Sequence, residues 1–299
     1  MSVRLTPRAV AAGALVPALA VTLAVTLVAA APQPVIAQAG ASAPRVTTWE
    51  YLPGVEADLY LPSRARSRPV PLVVMVPGGA WQTADRTGLG QLAEALVAKG
   101  VAVTNTTYRV GTPTSQFPVP PQDITCAVDA SVAAVKRAGF RPGPVVLLGH
   151  SAGAHLSSLA AFGAHEFGTA QCRYPRTRVD GWVGLSGIYD LTLVGEFAWT
   201  MMGATAEEAP ELYVRAATET YLAHGGRTHI DALVVHGDAD ELIPTFVATD
   251  FATLLRERGY DTQLTIAPGA DHLATFQAAV VAGTVLRWLR QVEHHGAIR

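Results

Sequence analysis

With 299 residues, 49% of them hydrophobic, the chain has enough apolar material for one large core, and a single domain of this size is common among α/β proteins. A formal net charge of −2 with no basic stripe excludes the electrostatic footprint of a nucleic-acid binder. No internal repeat or low-complexity tract points to a solenoid or to a disordered chain.

The first 39 residues stand apart. They hold Arg4 and Arg8, no acidic residue, and an apolar run over 9–31 broken only by Gly13, Pro17, Thr22 and Thr26. Ala37-Gln38-Ala39 follows as a small-x-small site. A basic start, an apolar middle and a small-residue end predict a secretory signal peptide over 1–39 and an exported protein. The same run is long enough to span a bilayer, so the alternative is an uncleaved anchor with the domain outside, and membrane contact is expected only in that case. Residues 40–47 are small and polar and read as a linker, leaving 48–299 as the folded domain.

Strand and helix signals then alternate. Residues 50–61 predict edge strands split at Pro53-Gly54, and 71–76 is a continuous apolar run of the kind a buried parallel strand needs. Leu89, Leu92, Leu96 and Val97 give 88–99 a helical spacing that stops at Gly100. Strands are expected at 101–108, 144–148, 180–185, 232–235 and 262–266. Helices are expected at 123–137, 152–164, 245–258 and 273–292. This alternation predicts a mainly parallel sheet with helices on both faces, and such sheets carry their reactive groups beyond the carboxyl ends of the strands.

Gly149-His150-Ser151-Ala152-Gly153 lies between one of these strands and the helix after it. A G-x-S-x-G pentapeptide in that position lifts a serine hydroxyl above the sheet on a sharp turn, with a helix N-terminus behind it, so Ser151 is the candidate nucleophile. His150 and His155 read as structural, because a base next to the nucleophile in sequence would point away from it. The base is expected at His272, on the loop after the last strand, and the acid at Asp238 or Asp240, after the strand at 232–235. Pro77-Gly78-Gly79-Ala80-Trp81 follows the strand at 71–76. Its two glycines let main-chain N–H groups turn into a cleft, where they and the N–H of Ala152 can face a developing oxyanion. Cys126 and Cys172 are the two cysteines, and an even count in an exported chain predicts that they are bridged.

Together with Tyr108-Arg109, the run from Leu185 to Asp190, His236-Gly237 through Pro244, and Gly269 through His272, these motifs resemble the α/β-hydrolase superfamily. The similarity is to its esterase branches with an H-G-G-G-W loop: hormone-sensitive-lipase-like esterases, feruloyl and acetyl-xylan esterase-like proteins, and kynurenine formamidases. The resemblance implies an α/β-hydrolase fold with a minimal cap in 191–226. It also implies Asp240 as the acid, through H-G-x-x-D-x-x-[VI]-P, and Gly78 and Gly79 as oxyanion donors. Pro77 replaces the family histidine and Ala80 the third glycine. The expected chemistry is acyl transfer through Ser151, His272 and Asp240 on small-molecule acyl esters of short chain, with no metal or organic cofactor. An amidase, formamidase or acyl-peptide hydrolase using the same groups is the alternative, and a silent binding module is the outcome if the groups do not react. Phe197, Trp199, Met201 and Met202 are expected either to line an acyl pocket or to fill helix core, and Trp81 to narrow the acyl side of the cleft.

Overall fold

The computed structural model describes residues 45–63, 68–222 and 230–298. The predicted signal segment over 1–39 lies outside the described residues. Eight strands form one sheet in the order β1-β2-β4-β3-β5-β6-β7-β8. The strands are β1 (Arg45–Leu52), β2 (Val55–Leu61), β3 (Val70–Val76), β4 (Ala102–Thr106), β5 (Pro142–His150), β6 (Gly181–Leu185), β7 (Asp231–Gly237) and β8 (Thr262–Ala267). The β1–β2 and β2–β4 pairs are antiparallel; every pair from β4 to β8 is parallel. This is the predicted α/β-hydrolase sheet. One boundary differs: Arg45, Val46 and Thr47 pair with Leu61, Tyr60 and Leu59, so the last three residues assigned to the linker belong to β1. Their composition is polar because β1 is an edge strand with most of its residues exposed.

Period-two alternation sends each central strand to two cores. Leu72, Val74 and Val76 of β3 join Leu147 and Val234 on one face, and Val73 and Met75 join Leu148 and Val235 on the other. The first face is covered by α2 (Val119–Arg137), α3 (Ala152–Phe162) and α7 (Thr245–Glu257), through Ile124, Val128, Leu156, Leu159, Phe251 and Leu255. The second is covered by α1 (Gly90–Val97) and α8 (Ala278–Ile298), through Leu92, Leu96, Val285 and Leu289. Each such fully buried side chain contributes about 1.5–3 kcal/mol of transfer free energy. Both faces of β3, β6 and β7 are buried, which is why these strands read as apolar runs, whereas the edge strand β8 is partly exposed.

The segment expected as a cap holds three short helices, α4 (Gly195–Met202), α5 (Pro210–Ala216) and α6 (Glu219–Leu222), against the first face. The apolar tract in α4 divides by helical face: Met201 and Met202 are buried, while Phe197 and Trp199 are exposed. Cys126 on α2 and Cys172 form a disulfide with Cα atoms 5.5 Å apart. One turn further along α2, buried Asp129 accepts the Thr177 N–H at 2.6 Å and an Arg176 N–H at 3.4 Å. Two tethers on one helix face thus hold the 172–177 loop.

Candidate active site

The strand register brings the candidate residues together. Gly149 pairs with Gly184, which pairs with Val234, so β5, β6 and β7 end side by side and their exit loops share one rim. Ser151 leaves β5 at φ 54°, ψ −124°, a conformation rarely taken by a residue with a side chain and costing on the order of 1–3 kcal/mol. The Ser151 N–H donates to the Leu185 carbonyl at 2.9 Å, and its carbonyl accepts from Ala154 at 2.9 Å, so sheet and helix hold the turn from opposite sides. The two flanking glycines are sterically required. A Cβ on Gly149 would meet the Gly153 main chain, and one on Gly153 would meet the carbonyls of Val76 and Pro77.

His272 spans the gap between hydroxyl and carboxylate. Its Nδ1 is 2.8 Å from Asp240 Oδ2 and its Nε2 is 2.9 Å from Ser151 Oγ. A carboxylate can only accept, so Nδ1 carries the proton and Nε2 is left to accept from the serine hydroxyl. Asp240 Oδ1 accepts the main-chain N–H groups of Leu242 (3.0 Å) and Ile243 (2.9 Å). Burial raises the Asp240 carboxyl, but hydrogen bonds from Ile243, His272 and Ser186 outweigh it and hold the group below the ordinary carboxylate range. The other candidate acid, Asp238, is exposed and accepts the Gly269 N–H at 2.5 Å. It braces the loop that carries His272.

His150 is structural, as its place beside Ser151 predicts, and further groups support the site. His150 Nε2 donates to the His272 carbonyl at 2.9 Å, and its ring packs edge-on to Phe276 with centroids 4.7 Å apart. Burial pushes its pKa down to about 4, so it stays a neutral strut. His236 Nε2 donates to the Ile243 carbonyl at 2.8 Å and lies 3.3 Å from Asp240 Oδ2; burial lowers its pKa as well. Ser186, strained at φ 42°, hydrogen-bonds Asp240, and the Thr275 hydroxyl lies 3.0 Å from both Ser186 Oγ and the His272 carbonyl. Asp271 caps the next turn through the N–H groups of Leu273 and Ala274. The contacts of His236, Asp271 and Thr275 with Ile243, Leu273, Ala274 and His272 are local, whereas His150 to His272 and Ser186 to Thr275 join residues far apart in sequence.

The glycine loop lies directly over Ser151. A Cβ on Gly78 would stand 3.0 Å from Ser151 Cβ. The buried Tyr108 hydroxyl donates to the Pro77 carbonyl at 3.0 Å, and Gln82 and Thr83 N–H groups close a turn on the Gly79 carbonyl. The next residue after Tyr108, Arg109, is locked to buried Asp123 by a bidentate pair, which fixes the β4 exit against α2. Ala152 opens α3, where the first N–H groups have no intrahelical acceptor. Trp81 departs from the expectation: it is buried in the core with its ring edge-on to His155, and it does not narrow the cleft. Positive φ angles at Ala80 and Trp81 turn the indole inward, away from the substrate side. A cleft of about 330 Å³ opens over Ser151 and His272, bounded by Gly78, Gly79, Leu242 and Phe276. This arrangement can take a proton from a hydroxyl, neutralise the resulting imidazolium, and offer N–H donors to an oxyanion.

Comparison with known proteins agrees with this architecture. The BD-FAE family matches residues 57–255. A probable carboxylic ester hydrolase of Mycobacterium tuberculosis, LipM, is 31% identical over 62% of this chain and 45% of its own length. Kynurenine formamidase of Danio rerio is 34% identical over 46% of this chain and 43% of its own. The chain spans about half the length of the curated relatives it matches. A truncated carbohydrate esterase from gut microbiota superposes with a TM-score of 0.70 at 18% identity, covering 83% of this chain and 96% of that one, a likeness of fold. Family match, fold and strand-end serine turn agree, and the chain belongs to the BD-FAE family in the esterase branch of the α/β-hydrolases.

Proposed function

We propose that the chain is a serine hydrolase that cleaves carboxylic esters through an acyl-enzyme on Ser151. The observation that carries this reading is the continuous hydrogen-bonded path from Ser151 Oγ through His272 to Asp240, opening into a cleft lined by Gly78 and Gly79. His272 Nε2 takes the hydroxyl proton as Oγ attacks the ester carbonyl. The imidazolium that forms is stabilised by Asp240, whose ionised state the surrounding donors favour. The N–H groups of Gly78, Gly79 and Ala152 receive the oxyanion, each such donor being worth about 3 kcal/mol in the transition state. His272 then protonates the departing alcohol, and water repeats the sequence to free the acid.

The small cleft favours short acyl chains. At about 330 Å³ with apolar walls at Leu89, Leu242 and Phe276, it gives a butyryl group contact and a long chain no enclosed channel. Export through the 1–39 segment completes the proposal; a disulfide between Cys126 and Cys172 suits an oxidising compartment. Similarity to a kynurenine formamidase favours one second reading, amide cleavage by the same groups. A panel of p-nitrophenyl esters from acetyl to palmitoyl, beside N-formyl anilides, separates these. The expected result is a maximum at acetyl to butyryl. Rates that climb to long chains contradict the small cleft, and formamide turnover with little ester turnover selects the amidase reading.

A further inference from the structure

The wall of the cleft over Ser151 is mostly apolar, with Leu89, Leu242, Leu273 and Phe276. One carboxylate joins it, Asp85, four residues after Trp81. Its Oδ1 accepts the Thr87 N–H at 2.9 Å and the Thr87 hydroxyl at 2.7 Å, at the N-cap of the 3-10 turn Arg86–Leu89. These bonds lower its pKa, so it is ionised at neutral pH. The neighbouring cation is committed elsewhere: Arg86 turns away to Asp58 at 2.8 Å and Glu56 at 3.1 Å. Among the described residues that line the cleft there is no lysine or arginine. The Asp240 charge sits behind His272, taken up by that imidazole and two main-chain N–H groups. Arg86 reaches Asp85 only through its field, so the surface a substrate meets is apolar with one carboxylate that has no ion-pair partner in the cleft lining. A group complementary to it is both apolar and cationic.

We infer that Asp85 makes the cleft selective for esters that carry an alkylammonium group on the portion lodged there, over their uncharged isosteres. The inference rests on the ester-hydrolase reading and names its substrate class. Because Asp85 is exposed at the rim, the attraction is that of a partly solvated pair, roughly 3- to 10-fold in kcat/KM at low salt. It weakens as the screening length falls from about 30 Å at 0.01 M to about 3 Å at 1 M salt.

Two isosteric pairs test this, one with the charge on each side of the ester bond: acetylcholine against 3,3-dimethylbutyl acetate, and ethyl 4-(trimethylammonio)butyrate against ethyl 5,5-dimethylhexanoate. At least one pair should show the cationic member ahead by threefold or more at 0.01 M salt, with the ratio collapsing toward one at 0.5 M salt and in Asp85→Asn. Asparagine keeps an oxygen for Thr87 and removes only the charge. A ratio at or below one in both pairs overturns the inference, as does a ratio that survives Asp85→Asn. Choline and 3,3-dimethylbutanol, competing with a fluorophosphonate for Ser151, read the same preference without turnover. Stronger protection by choline with no ester cleaved would refute the ester reading while sustaining the cationic cleft; equal protection would refute the cleft.

Discussion

Replacing Asp240 by asparagine exchanges one oxygen for an amino group and reverses one hydrogen bond. In the native site Oδ1 faces the N–H groups of Leu242 and Ile243, Oδ2 faces His272 Nδ1 at 2.8 Å, and the Ser186 hydroxyl also hydrogen-bonds the carboxylate. Asparagine has one acceptor end. Turning its amino group toward the main chain would break two bonds at a buried position, each worth about 1–3 kcal/mol when left unmade. The carbonyl therefore stays with Leu242 and Ile243, and the amino group faces His272. Nδ1 must then accept, Nε2 carries the proton, and the imidazole can no longer take the proton of Ser151 from 2.9 Å away. Loss of the correct tautomer and of the charge behind it should lower kcat by about 10³–10⁴, or roughly 4–5.5 kcal/mol of barrier, with little change in KM. Initial rates on p-nitrophenyl acetate with urea unfolding in parallel measure this. Asp238→Asn is the control: that carboxylate is exposed and braces only the Gly269 turn, so a loss under about threefold is expected. A crippled Asp238 variant beside a near-normal Asp240 variant would refute the reasoning.

Stability should fall as pH drops from about 6.5 toward 4. His150 and His155 are buried with pKa values of about 4, so the unfolded chain binds protons in this window and the folded chain does not. The stabilising neutral forms are complete above 6.5; Asp129, raised to about 6 by burial, opposes this in part but is one group against two, and a melting temperature that is flat between pH 7 and 5 would contradict it. The lowered Asp240 pKa acts below that window, its contribution being present above about 3.9 and lost as pH falls further. Removing the disulfide by Cys126→Ala with Cys172→Ala should cost up to about 4 kcal/mol for a loop of 46 residues, read from the urea midpoint; an unchanged midpoint would show that α2 and Asp129 hold the loop unaided.

The fold was legible because its central strands are buried on both faces and its helices follow them in strict alternation. The G-x-S-x-G turn was legible because main chain crowds both glycines, a steric requirement that sequence must state. Choosing between Asp238 and Asp240 required the resemblance to the family pattern that ends at Pro244, since what separates the two physically is the set of donors around them. The supports of the site were not legible for a related reason. His150 reaches a carbonyl 122 positions away, and Ser186 and Thr275 meet across 89. No local periodicity encodes such contacts. Trp81 misled because its neighbourhood in sequence is the glycine loop over Ser151, whereas its ring is buried in the core. The short helices of the cap carried too few turns for a periodic signal.

On this mechanism Ser151 is the nucleophile, made reactive by His272. Mass analysis after fluorophosphonate treatment tests it most directly. The expected outcome is a single adduct on the peptide carrying Ser151, none on Ser151→Ala, a labelling rate lowered by orders of magnitude in His272→Ala, and loss of ester hydrolysis in the same Ser151→Ala protein while it remains folded. An adduct on another residue, or hydrolysis near the native rate in folded Ser151→Ala, would contradict it.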